Sequence, residues 1–219
     1  MRKLVVGAMT SLDGVMQAPG GPHEDPTGGF KYGGWAFPYF DETAGQAVYE
    51  SFAQPFDLLL GRKTYDIFAA YWPYVSADDA IGPLFDSVTK YVATRNPGFE
   101  AGWQNSEVLG PDAVTAIRKL KSEDGPDLLT QGSTDFLATL FASDLVDEIR
   151  LTVFPVIFGN GKKMFRVDAA PMAMKLVSSI TTPPGVTISH YARAGDIETG
   201  SFPDDNPSEA ELERRRKLD

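Results

Sequence analysis

Cysteine is absent from the 219 residues. That removes disulfides, thiolate nucleophiles and thiolate-ligated zinc or iron–sulfur centres together. Histidine is almost absent: His23 and His190 are the two present, too few for a histidine-rich site, and no metal is expected. Positive charge is scarce. Lys and Arg number 20 against 30 Asp and Glu, a formal net charge of −10. An acidic surface of this kind repels a phosphate backbone, so no nucleic-acid partner is expected. No uncharged apolar run is long enough to span a bilayer, and Met1-Arg2-Lys3 leads directly into a strand-like pattern. The reading is a cytoplasmic protein with no signal peptide and no membrane partner. The Gly-x-Gly-x-x-Gly dinucleotide fingerprint and the Walker sequence are also missing, and Gly159-Asn160-Gly161 lacks the strand-to-helix setting that a phosphate loop needs.

Against this background the stretch Asp57-Leu-Leu-Leu-Gly-Arg-Lys-Thr-Tyr65 stands out. Leu58 to Leu60 have the continuous apolar character of a strand buried on both faces. Tyr65, Phe68, Ala69 and Trp72 then recur at i, i+3, i+4 and i+7, the stripe of a helix lying on a sheet. Gly61 falls at the turn between them, and Arg62, Lys63 and Thr64 at the positive end of the helix dipole. Either the two cations are ordinary solvated first-turn residues, or a bound anion such as phosphate offsets their unfavourable placement.

The same alternation recurs along the chain. Lys3 to Met9 reads as a first strand, followed by the turn signal Asp13-Gly14. Asp41-Glu-Thr-Ala opens a helix running to about Gln54. Lys90 to Thr94 is a strand ending at the polar turn Thr94-Arg95. A brief strand over Glu107 to Leu109 precedes a helix begun at Gly110-Pro111-Asp112. Asp127 to Gln131 is a strand, Gly132 to Asp135 a turn, and Phe136, Leu137, Leu140 and Phe141 the stripe of the next helix. Strand, polar turn and helix in succession imply an α/β sheet with parallel strands. The ending differs. Asp147 to Phe158 is a β-rich run broken by Pro155, and Met174 to Thr182 and Val186 to Tyr191 read as a terminal antiparallel hairpin. Residues 1–195 are read as one domain and 196–219 as a charged tail, in which Glu209 to Lys217 is a candidate helix. Residues 18–39 are rich in Gly and Pro with Phe30, Tyr32, Trp35, Phe37 and Tyr39 interleaved. That segment is read either as a cover over a ligand or partner, with Phe30 to Tyr39 as the source of substrate specificity, or as packing onto its own core.

In an open parallel sheet, ligands bind beyond the carboxyl ends of the strands. Three turns lie there: Gly61 to Thr64, Thr94-Arg95, and Gln131-Gly132-Ser133-Thr134. Their glycines and hydroxyls suit a pyrophosphate, and Arg95 suits a further phosphate on a ribose.

The ordered set Ser11-Leu-Asp-Gly14, Leu60-Gly-Arg-Lys-Thr-Tyr65, Val92-Ala-Thr-Arg95, Gln131-Gly-Ser133, Leu145-Val-Asp-Glu-Ile149 and Pro155-Val-Ile-Phe-Gly-Asn-Gly161 resembles the dihydrofolate reductase superfamily. More closely it is similar to the branch containing the C-terminal reductase domain of riboflavin-biosynthesis deaminase-reductases, over roughly residues 2–193. The resemblance implies a three-layer fold with a mixed, mainly parallel sheet, helices on both faces and a C-terminal antiparallel hairpin. It also implies NADPH as hydride donor, a small heterocyclic or sugar-like substrate, and often a homodimer. Carried over by position, it makes Gly61, Arg62, Lys63 and Thr64 cofactor-phosphate contacts, and Thr94 and Arg95 contacts to the adenosine ribose phosphate. Gly132, Ser133 and Thr134, with Gln131 before them, would meet the pyrophosphate. Ala8 and Gly14 would border the nicotinamide. The carboxylate that grips the pterin in dihydrofolate reductases has only Asp41 and Glu42 near its place, which argues against folate itself. Asp13, or else Asp41, is the candidate acid for the proton that accompanies the hydride, with water as the other source and a turn-forming role as the other use of Asp13. A protein that binds NADP(H) without catalysis is the alternative. A Ser-His-Asp hydrolase is more distant, because His190 is placed in a terminal strand and no nucleophile elbow is present.

Overall fold

A computed structural model describes residues 1–166, 169–201 and 207–218. Eight strands form one sheet in the order β4-β3-β2-β5-β1-β6-β8-β7. β1 (Leu4–Ser11), β2 (Phe56–Gly61), β3 (Lys90–Ala93), β4 (Ser106–Val108), β5 (Asp127–Thr130) and β6 (Glu148–Phe154) run parallel, while β8 (Thr187–Arg193) and β7 (Met174–Thr181) extend the sheet antiparallel.

The apolar run of β2 is buried throughout, because helices cover both faces. Leu59 packs with Ile117 of α4 (Ala113–Ser122) and with Phe136, Leu137 and Leu140 of α5 (Thr134–Ala142). Leu58 and Leu60 point the other way, to Tyr65 of α2 (Arg62–Tyr71), Phe85 of α3 (Gly82–Ser87) and Val48 of α1 (Glu42–Glu50). The period-2 alternation of a strand thus divides three consecutive leucines between two cores. At the opposite edge of β2 from the helix start, Arg2 and Asp57 form a buried ion pair, and the Arg2 Nε donates to Pro126 O at 2.5 Å. That pair ties the entry of β1 to β2 and to the turn before β5.

Several boundaries differ from the sequence reading. α1 ends at Glu50 and not Gln54, β4 lies one residue earlier than expected, and β6 stops at Phe154, before Pro155 can interrupt the ladder. His190 sits in β8, where its Nε2 lies 2.9 Å from Glu148 Oε2. In the tail, α6 (Glu209–Arg216) is capped by Ser208 and holds itself together through pairs such as Glu211 with Arg214 and Arg215. Residues 202–206 and 219 of the tail lie outside the described residues.

The aromatic segment packs onto its own core. Phe30 and Trp35 are buried with Val15, Phe154 and Val186, and the Trp35 Nε1 donates to Gln17 O at 2.8 Å. Phe37, by contrast, is 82% exposed.

Candidate functional site

α1, α4 and α6 begin with a side-chain acceptor: Asp41 receives the Ala44 N–H, Asp112 the Thr115 N–H, and Ser208 the Glu211 N–H. Asp79 does the same service at the start of α3, taking the N–H groups of Ile81 and Gly82 at 2.8 Å each. α2 and α5 have no side-chain cap hydrogen bond. A helix start leaves about four N–H groups without an internal partner, so these two helices present uncompensated donors. They do so side by side. The Gly61 N–H donates to Gly132 O at 3.4 Å, bringing the turn after β2 against the turn after β5.

Glycine is required at both contacts. A Cβ on Gly61 would lie 2.8 Å from Phe136 Cβ and 3.2 Å from Ser133 Oγ. Gly132 has φ +132°, and a Cβ there would lie 3.1 Å from Thr64 Oγ1. The Gly132–Ser133 peptide is cis.

Two cavities flank this double turn and share Lys63, Ser133 and Asp135. The outer one, about 580 Å³, is lined by Gly61, Arg62, Lys63, Thr94, Arg95 and Ser133 together with the start of α4. The inner one, about 270 Å³, reaches under the sheet edge. Gly7 and Ala8 of β1, Thr64, Gln131, Gly132 and Thr134 line it, as do Arg150 and Thr152 of β6 and residues of the segment 16–25. Most of the sequence-chosen residues therefore meet on one groove that crosses the carboxyl ends of β3, β2, β5 and β1.

Three do not. Gly14 takes φ +80° in the turn after β1 and accepts from the Met164 N–H, and it lines neither cavity. Asp13 is likewise outside both. Its carboxylate accepts from the Ser11 hydroxyl at 2.6 Å and from the N–H groups of Phe158 and Gly159 at 3.2 and 2.9 Å. The Ser11 hydrogen bond leads in holding its pKa below the ordinary carboxylate range, against the opposing effect of burial. Here it clasps the 158–159 turn as an anion. Asp41 is occupied as the cap of α1 and is also outside the groove. Arg62 lines the outer cavity but is engaged: its Nε lies 2.7 Å from Asp66 Oδ1, and its guanidinium stacks 3.8 Å above the Phe99 ring. Lys63 and Arg95 have no ion pair among the described residues and remain available.

The carboxylates of the inner cavity are others: Glu24, Asp25 and Asp135. Burial raises the Asp25 pKa, but the ion pair with Lys162 and the Thr27 hydroxyl overcome it and hold the group below the ordinary range. Asp135 lies 3.3 Å from Arg166. Glu24 is half-buried with no ion pair among the described residues, and burial pushes its pKa up against the hydrogen bonds it accepts from the backbone of Gly20 and Gly21. The run Pro22-His-Glu-Asp-Pro26 lies inside the Gly- and Pro-rich segment 18–39, where the aromatic residues carry the sequence signal and Glu24 has none of its own. Gln17 folds the run inward, its Nε2 donating to the carbonyls of Asp25 at 2.9 Å and Thr27 at 2.8 Å. Residues 16–19, 24 and 25 border the inner cavity, and Phe30 to Tyr39, expected to set specificity, do not line it.

NADPH fits the residues present. Adjacent uncapped helix starts, glycines where any Cβ would intrude, and unpaired Lys63 and Arg95 suit a pyrophosphate and a third phosphate. Ala8 and Gln131 leave an uncharged wall in the inner cavity for a planar ring.

Comparison with known proteins agrees with this geometry. The family described as "RibD C-terminal domain" matches residues 2–188. An uncharacterized protein of Bacillus subtilis, YyaP, is 26% identical over 194 residues, covering 84% of this chain and 92% of its own. A putative riboflavin biosynthesis protein from Shewanella sp. PV-4 superposes with a TM-score of 0.64 at 20% identity, covering 88% of this chain and 99% of that one. Dihydrofolate reductase from Enterococcus faecalis, solved with NADP(H) and the compound RAB-propyl, gives 0.54 at 13% identity, covering 87% and 96%. The fold is the dihydrofolate reductase-like one: a mixed, mostly parallel sheet with helices and antiparallel terminal strands.

Proposed function

Because the chain belongs to the RibD C-terminal domain family, we propose that it is a reductase that uses NADPH to reduce a small heterocyclic or sugar-like substrate. One observation carries the reading. Among the three helices whose starts line the groove, α4 is capped by Asp112 while α2 and α5 have no side-chain cap, and the starts of these two touch through Gly61 and Gly132.

In this reading the N–H groups at the starts of α2 and α5 hold the pyrophosphate, with Lys63 and the Thr64, Ser133 and Thr134 hydroxyls beside them. Thr94 and Arg95 take the ribose phosphate that distinguishes NADPH from NADH. Ala8 and Gln131 flank the nicotinamide, which when bound would supply a hydride to the acceptor. The segment 16–25 closes over the acceptor and excludes water, held down by the Lys162 contacts to Asp25 and to Thr27 Oγ1.

Titration with NADPH and NADH, followed by nicotinamide fluorescence, tests this. NADPH is expected to bind more tightly, and Arg95→Ala to weaken it by about 10- to 100-fold while leaving NADH nearly unchanged. That is the loss of one hydrogen bond to a charged group, about 1.5–3 kcal/mol. Failure of both nucleotides to bind would exclude the reading. A second reading, a non-catalytic NADP(H)-binding protein, is favoured by the position of Asp13 and Asp41 outside the groove. It predicts tight NADPH binding with no oxidation by any acceptor. We also propose a homodimer, with β7 at the contact.

A further inference from the structure

A nicotinamide reductase must give its acceptor a proton as well as a hydride, and neither aspartate chosen from the sequence can deliver one into the cavity. Asp13 is committed to the Ser11 hydroxyl and the two N–H groups of the 158–159 turn, and Asp41 to the start of α1. The side chains that do line the inner cavity narrow the choice. Asp25 is paired with Lys162, and Asp135 with Arg166. Lys63 lies at the phosphate side. Arg150 donates to the Ser51 carbonyl and cannot give up a proton at working pH. Glu24 remains.

Resting on the reductase reading above, we propose that Glu24 is the proton donor to the heteroatom of the acceptor's double bond. Glu24 lines the same cavity as Ala8 and Gln131, the residues assigned to the nicotinamide wall. Oε2 accepts the Gly20 N–H at 2.7 Å, and the Gly21 backbone also donates to the carboxyl, which fixes the group in place. The charges around it favour the neutral acid: Asp25 beside it in the chain is an anion that discourages a second one, and Lys162 is already occupied by Asp25. Burial acts in the same direction. Such a setting holds a carboxylic acid protonated closer to neutral pH than a solvated glutamate would be.

The step balances for a polarised C=N or C=O bond. A hydride adds to carbon as the π electrons move onto nitrogen or oxygen, and a new N–H or O–H bond forms as the Glu24 O–H bond breaks. Bound NADPH would give up the hydride and leave as the nicotinamidium cation of NADP⁺, the acceptor is reduced by two electrons, and the Glu24 carboxylate regains its proton from water. The acceptor class is therefore a small ring with a C=N or C=O bond whose heteroatom faces the segment 16–25. An isolated C=C bond, which offers no basic atom to the acid, is disfavoured.

Glu24→Gln tests this, since the amide oxygen can still accept the Gly20 N–H. NADPH titration of wild type and variant comes first and is expected to give equal affinities; absence of binding in both would overturn the reductase reading and this inference with it. Isotope-edited infrared titration of the protein without nucleotide then reads the acid directly. The protonated-carboxyl band of Glu24 should persist above the pH at which an ordinary glutamate ionises and be missing from Glu24→Gln. Dihydrofolate and 2-methyl-1-pyrroline serve as C=N probes of NADPH oxidation. Where a probe is turned over, the wild-type rate should fall as pH rises through the titration of that band. Glu24→Gln should be slower by about 10²- to 10⁴-fold and flat with pH. Should neither probe react, the infrared titration decides. A Glu24 carboxyl that ionises like a solvated one, or a variant keeping the wild-type rate and pH profile, overturns the assignment.

Discussion

Arg62 and Lys63 are neighbours with different fates. Both were read as phosphate ligands because both follow Gly61, and local spacing treats them alike. Asp66, four residues on, was the available sign that Arg62 would be drawn along the helix, as an i,i+4 pair. Phe99, which finishes the job, is brought near only by the fold. Lys90 is the converse, a lysine with no chemistry of its own in the sequence reading. It is fully buried, with Nζ donating to the carbonyls of Phe85 at 2.8 Å and Asp86 at 2.9 Å and lying 4.3 Å above the Trp103 ring. Burial pulls its pKa down to about 8 from the ordinary 10.5. Between these values the unfolded chain holds more protons than the folded one, so stability rises with pH across that window. Urea denaturation from pH 7 to 10.5 should show the rise in the wild type, and Lys90→Met should remove that increment. An unchanged slope in Lys90→Met would assign the dependence to other groups.

At the scale of elements, β2 and β7 mark the limits of sequence reading. β2 was legible because burial on both faces erases polar alternation, leaving Leu58, Leu59 and Leu60 in a row. The place of β5 between β2 and β1 was not, because pairing such as Leu58 with Leu129 joins residues far apart in the chain. The hairpin was foreseen, but its exposure was not: Leu176, Val177 and Ile180 of β7 are 52%, 56% and 45% exposed on an edge strand carrying a single charge, Lys175. Natural edge strands are usually guarded by charge, bulges or cover; β7 has that lysine and a register shift between Leu176 and Ser178, and the residues around them stay open. An antiparallel pairing of β7 with its copy about a two-fold axis would bury these residues and satisfy the open ladder. In the proposed homodimer, light scattering should give about twice 23.8 kDa for the wild type, and Val177→Lys/Ile180→Lys should return the monomer mass with the secondary structure intact. A monomeric wild type would rule the contact out.

For the whole molecule, the groove depends on segments that are remote in sequence. Residues 61–64, 93–95 and 131–134 contribute from three different strand ends, and residues 7–8 from the middle of β1. The turns were legible one by one, since glycine, hydroxyl and cation at a strand end carry their chemistry locally. Glu24 and Arg150 were not, because a loop and a central strand reach the inner cavity only through the tertiary fold. A ligand laid across these turns binds the native arrangement and not the unfolded chain, in which the four segments are separated. Its binding free energy is then added to folding. At 100 times its Kd, NADPH should stabilise the protein by about 2.7 kcal/mol, which for a chain of this size raises Tm by about 5–10 °C. Arg95 is exposed and has no ion pair among the described residues, so Arg95→Ala should melt like the wild type without nucleotide. At the same NADPH concentration, a tenfold loss of affinity takes away about 1.4 kcal/mol, roughly half of the shift. Thermal denaturation of both proteins with and without NADPH measures all four values. A shift equal in the two would move the third phosphate away from Arg95, and no shift in either would remove the nucleotide from the groove.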